Sequence, residues 1–184
     1  MKDGARDFDL PFELMREHSK RNIVRVTRRV GDDVQRFAML MELVLNGEVT
    51  VSRRASWVMS VCVERNPSLA APWIRQLIGI LDDERSHPAV KRNAIRSLQF
   101  IDIPSRSRGR TVDLCITVLR SVRSEIAAKA FAMTVLQNIV KKEPDLRDEA
   151  VLVIEPLMEY GSAGVRSRAR KVMKALKALK SLRI

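Results

Sequence analysis

Apolar residues along this chain recur in one frame. Ala55, Ala94, Ala132 and Ala169 lie 39, 38 and 37 residues apart. Four residues before each stands Val51, Val90, Ala128 or Val165. Four after stands Met59, Leu98, Leu136 or Met173, and three further on Cys62, Ile101, Ile139 or Leu176. Steps of four, four and three return to one face of an α-helix, so each set predicts a helix with a buried stripe. The small residue in mid-stripe lets a neighbouring helix approach closely. A second phase repeats in Leu40, Leu77, Cys115 and Val153, followed four residues on by Val44, Leu81, Leu119 and Leu157. Two helices per unit of about 38 residues predict a stack of helical hairpins, which serves more often as a binding surface than as an enzyme. No stretch sustains the two-residue alternation of a strand, so the expected class is all-α.

Cap and turn residues divide the chain into nine main helices. Ser19 begins one that Gly31 ends, and Asp32 begins the next, ended by Asn46-Gly47. Thr50 caps a third, to about Arg65, and Pro67 restarts the chain for a helix holding Trp73 to Leu81. His87-Pro88 opens a helix to near Asp102, Ser105 or Ser107 one to Arg120, and Ser124 one to Lys142. Pro144 begins an acidic helix to Tyr160 that Pro156 should kink, and Ser162 caps a last, basic helix to about Ser181. Residues 1–18 read as a leader with room for a short helix after Pro11, and residues 19–184 as one repeat domain.

The paired-helix period, together with the second-helix pattern Val90-Lys91-Arg92-Asn93-Ala94-Ile95-Arg96-Ser97-Leu98, resembles HEAT repeats, and in particular short bacterial HEAT-like proteins. The likeness covers roughly residues 32–181. It implies a right-handed α-α superhelix of about four helical-hairpin repeats plus an N-terminal helix, with the second helix of each pair on the concave surface. Some such proteins carry an adenylosuccinate lyase label, but that enzyme's Ser-rich, Met-Pro-containing signature loop has no counterpart here.

Charge changes the picture from scaffold to scaffold for an anion. The net charge is +12, from 34 basic and 22 acidic residues. A strongly basic protein draws nucleic acid, anionic lipid or acidic protein surfaces. The second helices hold sixteen basic residues and a single acid, Glu64, whereas acids outnumber bases in the first helices. On the side of the second helices opposite the core stripe fall Arg53, Trp57, Arg92, Arg96, Gln99, Gln137, Lys171 and Lys174, the candidate partner-binding residues. Arginine, one indole and amides suit phosphates and stacked rings. Each position has a plainer reading beside this one: a solvated helix face for the cations, and packing between repeats for Trp57. Trp73, four residues before Leu77, reads as core. The final helix, basic from Arg166 to Arg183, reads as the last core helix with a charged outer side.

Catalytic chemistry finds little footing. No phosphate loop, HExxH or GxSxG signature occurs, so no catalytic residue and no cofactor are expected. Cys62 and Cys115 sit at apolar repeat positions and read as buried free thiols. Without CxxC spacing no metal site is expected. His18 falls in the leader and His87 reads as a cap. DNA glycosylases of the alkylpurine-removing type are similar in being HEAT-like with a basic cleft and tryptophans, but the residue four after Trp57 is Val61, not a carboxylate. The expectation is a non-enzymatic, monomeric adaptor without a small-molecule substrate, whose partner is an acidic protein segment or, alternatively, a nucleic acid. The absence of a signal-like or membrane-spanning apolar stretch makes the expected compartment cytoplasmic.

Overall fold

The computed structural model describes residues 8–181, apart from the side chains of Lys180 and Ser181. The first seven residues of the expected leader and the end of the basic segment, Arg183 included, lie outside the described residues. Eleven α-helices follow one another, with no strand among the described residues. A short α1 (Leu10–Met15) and α2 (Lys20–Val30) lead into the pairs α3 (Val34–Asn46) with α4 (Val49–Arg65) and α5 (Ile74–Asp82) with α6 (Pro88–Leu98). Next come α7 (Ser105–Arg120) with α8 (Ile126–Val140), and finally α9 (Arg147–Ile154) and α10 (Leu157–Tyr160) with α11 (Ala163–Ser181).

The repeat alanines justify the period. Ala55, Ala94, Ala132 and Ala169 are fully buried, and Met59, Leu98, Leu136 and Met173 beside them are buried too. With so little side chain at each crossing, α4, α6, α8 and α11 pack closely in one row, and α2 extends that row beyond α4. The first helices pack on their own partners and touch one another sparsely. One apolar cluster runs through the whole stack, from Leu10 to Leu176. Burial of each such Leu or Met contributes roughly 1.5–3 kcal/mol against chain entropy, so the stack is stabilised along its length rather than at a centre.

Several helix ends differ from the expected ones for local reasons. The chain leaves α2 through Gly31, whose φ of 56° is costly for any residue with a Cβ. That turn uses up Asp32, and the cap of α3 falls to Asp33, whose carboxylate accepts from the amides of Gln35 and Arg36 at 2.9 Å each. Asp32 instead accepts from Asn66 Nδ2 at 2.8 Å, linking the starts of two turns. The helix expected to begin at Thr50 starts at Val49, with Glu48 as its cap residue, and α8 starts after Glu125 rather than Ser124. Pro72 has no N–H to give, so residues Pro67–Trp73 form a 3-10 segment before α5. Pro156 goes further than a kink and divides α9 from α10.

The segment before residue 19 is built into the core. Asp9 caps α1 by accepting from Phe12 N at 3.0 Å, and Leu10 and Leu14 are fully buried. Asn22, itself buried, donates to the carbonyls of Glu13 and Glu17 at 3.0 and 3.1 Å, which holds the turn carrying His18.

Candidate functional site

Neighbouring second helices are joined by polar side chains at matching repeat positions. The residue before three of the repeat alanines reaches back along the chain, from Arg54 to α1 and from Asn93 and Arg168 to the previous second helix. Arg54 donates to Leu14 O at 3.0 Å, Asn93 to Ser56 Oγ at 2.9 Å, and Arg168 to Thr134 Oγ1 at 3.1 Å. Ser56 passes the bond on, donating to Arg53 O at 2.8 Å. Asn138 adds a bond to Gln99 O at 2.9 Å. The Asn93–Ser56 bond is buried and holds α6 at a fixed spacing from α4, because a buried donor without its acceptor costs more than the bond itself returns.

Between the starts of α4, α6 and α8 opens a cavity of about 380 Å3. Arg53, Arg54 and Trp57 of α4 form one wall, and Arg92 and Asn93 of α6 another. Both histidines of the chain contribute. His18 stands edge-on to Trp57, with ring centroids 6.2 Å apart. His87 caps α6, its Nδ1 accepting from Ala89 N at 3.1 Å. That bond leaves the proton of the neutral imidazole on Nε2, where it is a donor. Glu125, the cap residue of α8, accepts from Arg92 at 2.6 Å.

The eight candidate residues divide. Arg53, Trp57 and Arg92 meet in this cavity. Arg53 is exposed and makes no ion pair among the described residues, whereas Arg92 is committed to Glu125. Arg96 donates to Glu64 at 2.6 Å and to Ser60 Oγ at 3.1 Å, so it pins α6 to α4. Gln99 lines a second cavity of about 240 Å3 with Asn138, Lys141 and Lys142, and Gln137 is half-buried on α8. Lys171 and Lys174 are exposed on α11, in the last repeat. Trp73 is partly buried against the core.

Sequence reasoning did not bring His18, His87, Arg54 or Glu125 to the site. One signal was available, since His87 and Glu125 each precede their repeat alanine by seven residues and so occupy the same cap position. His18 lies outside the 38-residue period, and only the docking of α1 and α2 places it. α2 adds a basic face of its own. Lys20, Arg21 and Arg28 are exposed there, while Arg25 and Arg29 both pair with Glu13.

The acids nearest the second helices are occupied. A hydrogen bond from Lys142, more than any other cause, holds the Asp102 carboxyl below its ordinary range. Burial pushes both Cys62 and Cys115 up to about 12, so they remain thiols rather than nucleophilic thiolates. Among the described residues no cluster of His, Cys, Asp or Glu is arranged to hold a metal ion, and no helix is long and apolar enough to cross a membrane.

Helical pairs stacked at a fixed period on one continuous core define a helical-repeat solenoid, a class built around extended interaction surfaces. A family model described as a HEAT repeat domain matches residues 11–176, beginning inside α1, and the chain belongs to the HEAT repeat family. The family is one of scaffolds and adaptors and is generally non-catalytic. No curated protein and no solved structure matches the chain.

Proposed function

We propose that this protein is a non-enzymatic adaptor that holds an acidic segment of a protein partner along its row of second helices. The placement of unpaired cations carries the reading. Arg53 on α4 and Lys171 and Lys174 on α11 are exposed without an ion pair among the described residues, and Lys20, Arg21 and Arg28 extend the row on α2. The acids that could neutralise that face, Glu64 and Glu125, are already engaged by Arg96 and Arg92. Close packing within the second-helix row and sparse packing within the first favour bending toward the second helices, which supports an inner position for these cations. A concave basic surface raises the local concentration of an anionic partner and steers its approach. A protein partner is preferred to nucleic acid because helical-repeat stacks mostly bind proteins.

Fluorescence anisotropy across a salt series tests this with three labelled probes: a glutamate-rich peptide, duplex DNA and single-stranded RNA. The peptide should bind with a modest salt response and be lost in the combined variant Arg53→Glu/Lys171→Glu/Lys174→Glu. No peptide binding at low salt would overturn the reading. Tighter nucleic-acid binding with a steep log–log salt slope would replace the acidic peptide by a phosphate backbone.

A further inference from the structure

The cavity between α4, α6 and α8 has more chemistry than a face for acidic side chains requires. Three arginines, Arg53, Arg54 and Arg92, stand against one carboxylate, Glu125, which leaves two positive charges in excess. A carboxylate neutralises one of them. A phosphomonoester, with a charge of about −1.5 to −2 at neutral pH, neutralises both. Arginine adds the planar fork that fits phosphate oxygens. His87 contributes a fixed Nε2–H donor, because its Nδ1 is occupied by the cap of α6.

Charge alone does not account for the rest of the wall. At about 380 Å3 the cavity is far larger than an inorganic anion and falls within the range of small-molecule pockets, roughly 300–1,000 Å3. Trp57 supplies an aromatic surface there, braced edge-on by His18 and anchored against the core. The wall also offers acceptors. Asn93 donates its amide to Ser56, which leaves its Oδ1 free to accept, and Glu125 retains a second oxygen beyond the one that Arg92 occupies. A ligand matched to this set carries a dianion, a flat ring and N–H or O–H donors between them.

We propose that this cavity binds a nucleoside 5′-monophosphate, with the phosphate at Arg53, His87 and the Arg92 N–H groups other than the one that Glu125 occupies, and the base against Trp57. Ribose hydroxyls and exocyclic amino groups meet the acceptors of Asn93 and Glu125. A free nucleotide and the 5′-phosphorylated end of a strand present the same groups. A phosphotyrosine side chain shares the ring and the dianion but lacks the donors. The assignment goes beyond the acidic-partner reading and shares only Arg53 with it. The lysines of α11 take no part in the cavity, so Lys171→Glu/Lys174→Glu should weaken the acidic peptide and leave the nucleotide unaffected.

Calorimetric titration of the full chain tests the assignment with the four common ribonucleoside 5′-monophosphates, adenosine, ribose 5-phosphate and phosphotyrosine. At least one monophosphate should bind saturably and quench Trp57 fluorescence, with its nucleoside and ribose 5-phosphate each about tenfold weaker or more. Arg53→Gln alters an exposed side chain outside the packing and should weaken the nucleotide about tenfold, the effect of losing one charge-assisted contact. Trp57→Leu should weaken it similarly, while Arg75→Gln on α5 should bind as the parent does. A 5′-phosphorylated oligonucleotide tighter than the mononucleotide would identify a strand end as the source, and equal affinity a free nucleotide. No saturable binding at millimolar concentration, phosphotyrosine binding as well as the nucleotides, ribose 5-phosphate matching them, or affinity unchanged in Arg53→Gln would overturn the proposal.

Discussion

Glu13 shows how much a single side chain can carry in this fold. It is buried between α1 and α2, with Arg25 and Arg29 both directed at its carboxylate. The hydrogen bond from Arg25 is the largest influence and holds the carboxyl below its ordinary value, with both arginine charges adding to the effect and burial opposing it. A carboxyl depressed in the folded state stabilises fully above its unfolded pKa, and that contribution is lost as pH falls through the folded value. Acid titration of stability should therefore be flatter for Glu13→Gln than for the parent below about pH 4.5, the ordinary value for this group. Parallel curves in urea melts at stepped pH would contradict this. Arg92 and Arg96 carry a related lesson. Helical phase alone turns both outward, but their carboxylate partners lie 33 and 32 residues away in sequence. No local pattern predicts such pairs, because they arise from the stacking of one repeat on the next.

Element ends are decided by single backbone requirements. Gly31 ends α2 at a positive φ, and an added Cβ would meet only Arg28 O at 3.6 Å, an ordinary contact. The cost of Gly31→Ala is therefore conformational, about 1–2 kcal/mol. Asp33→Ala removes the cap of α3 and should cost about 1 kcal/mol. Urea denaturation should show both losses as lower midpoints with an unchanged slope. An Asp33→Ala midpoint equal to the parent's would mean that the cap contributes nothing. Proline acted more strongly than a periodicity reading allows. Pro72 and Pro156 leave the apolar period intact on either side, so the stripe reads as continuous while the backbone is interrupted. A hydrophobic stripe reports which face is buried, and it does not report a missing N–H.

For the molecule as a whole, stability is distributed along a row of interfaces. Each second helix buries its alanine stripe against the next, and α11 completes the core with Val165, Ala169, Val172, Met173 and Leu176. Deleting residues 163–184 would expose the apolar face of α8, including Leu136 and Ile139, in a chain whose repeats depend on their neighbours. The truncated protein should lose its cooperative melt or aggregate, as calorimetry and light scattering would register. A soluble monomer with the parent's melting temperature would contradict that account. The excess of basic residues acts at this scale too, attracting anions at long range without specifying the fold.

By itself the sequence determined the class of fold, the period and the burial of Cys62, Cys115 and the repeat alanines. Those properties follow from local geometry: helical spacing and residue size decide them wherever the helix happens to lie. Tertiary structure decided which cations are free. It turned Arg96 into a tie between α6 and α4, gave Arg92 to Glu125, and left Arg53, Lys171 and Lys174 without ion partners among the described residues. It also brought His18, from the turn between α1 and α2, into T-shaped contact with Trp57 and into the cavity that His87 lines. The reason is physical. A period describes each repeat alone, whereas a binding cavity forms where three helix ends from different repeats meet.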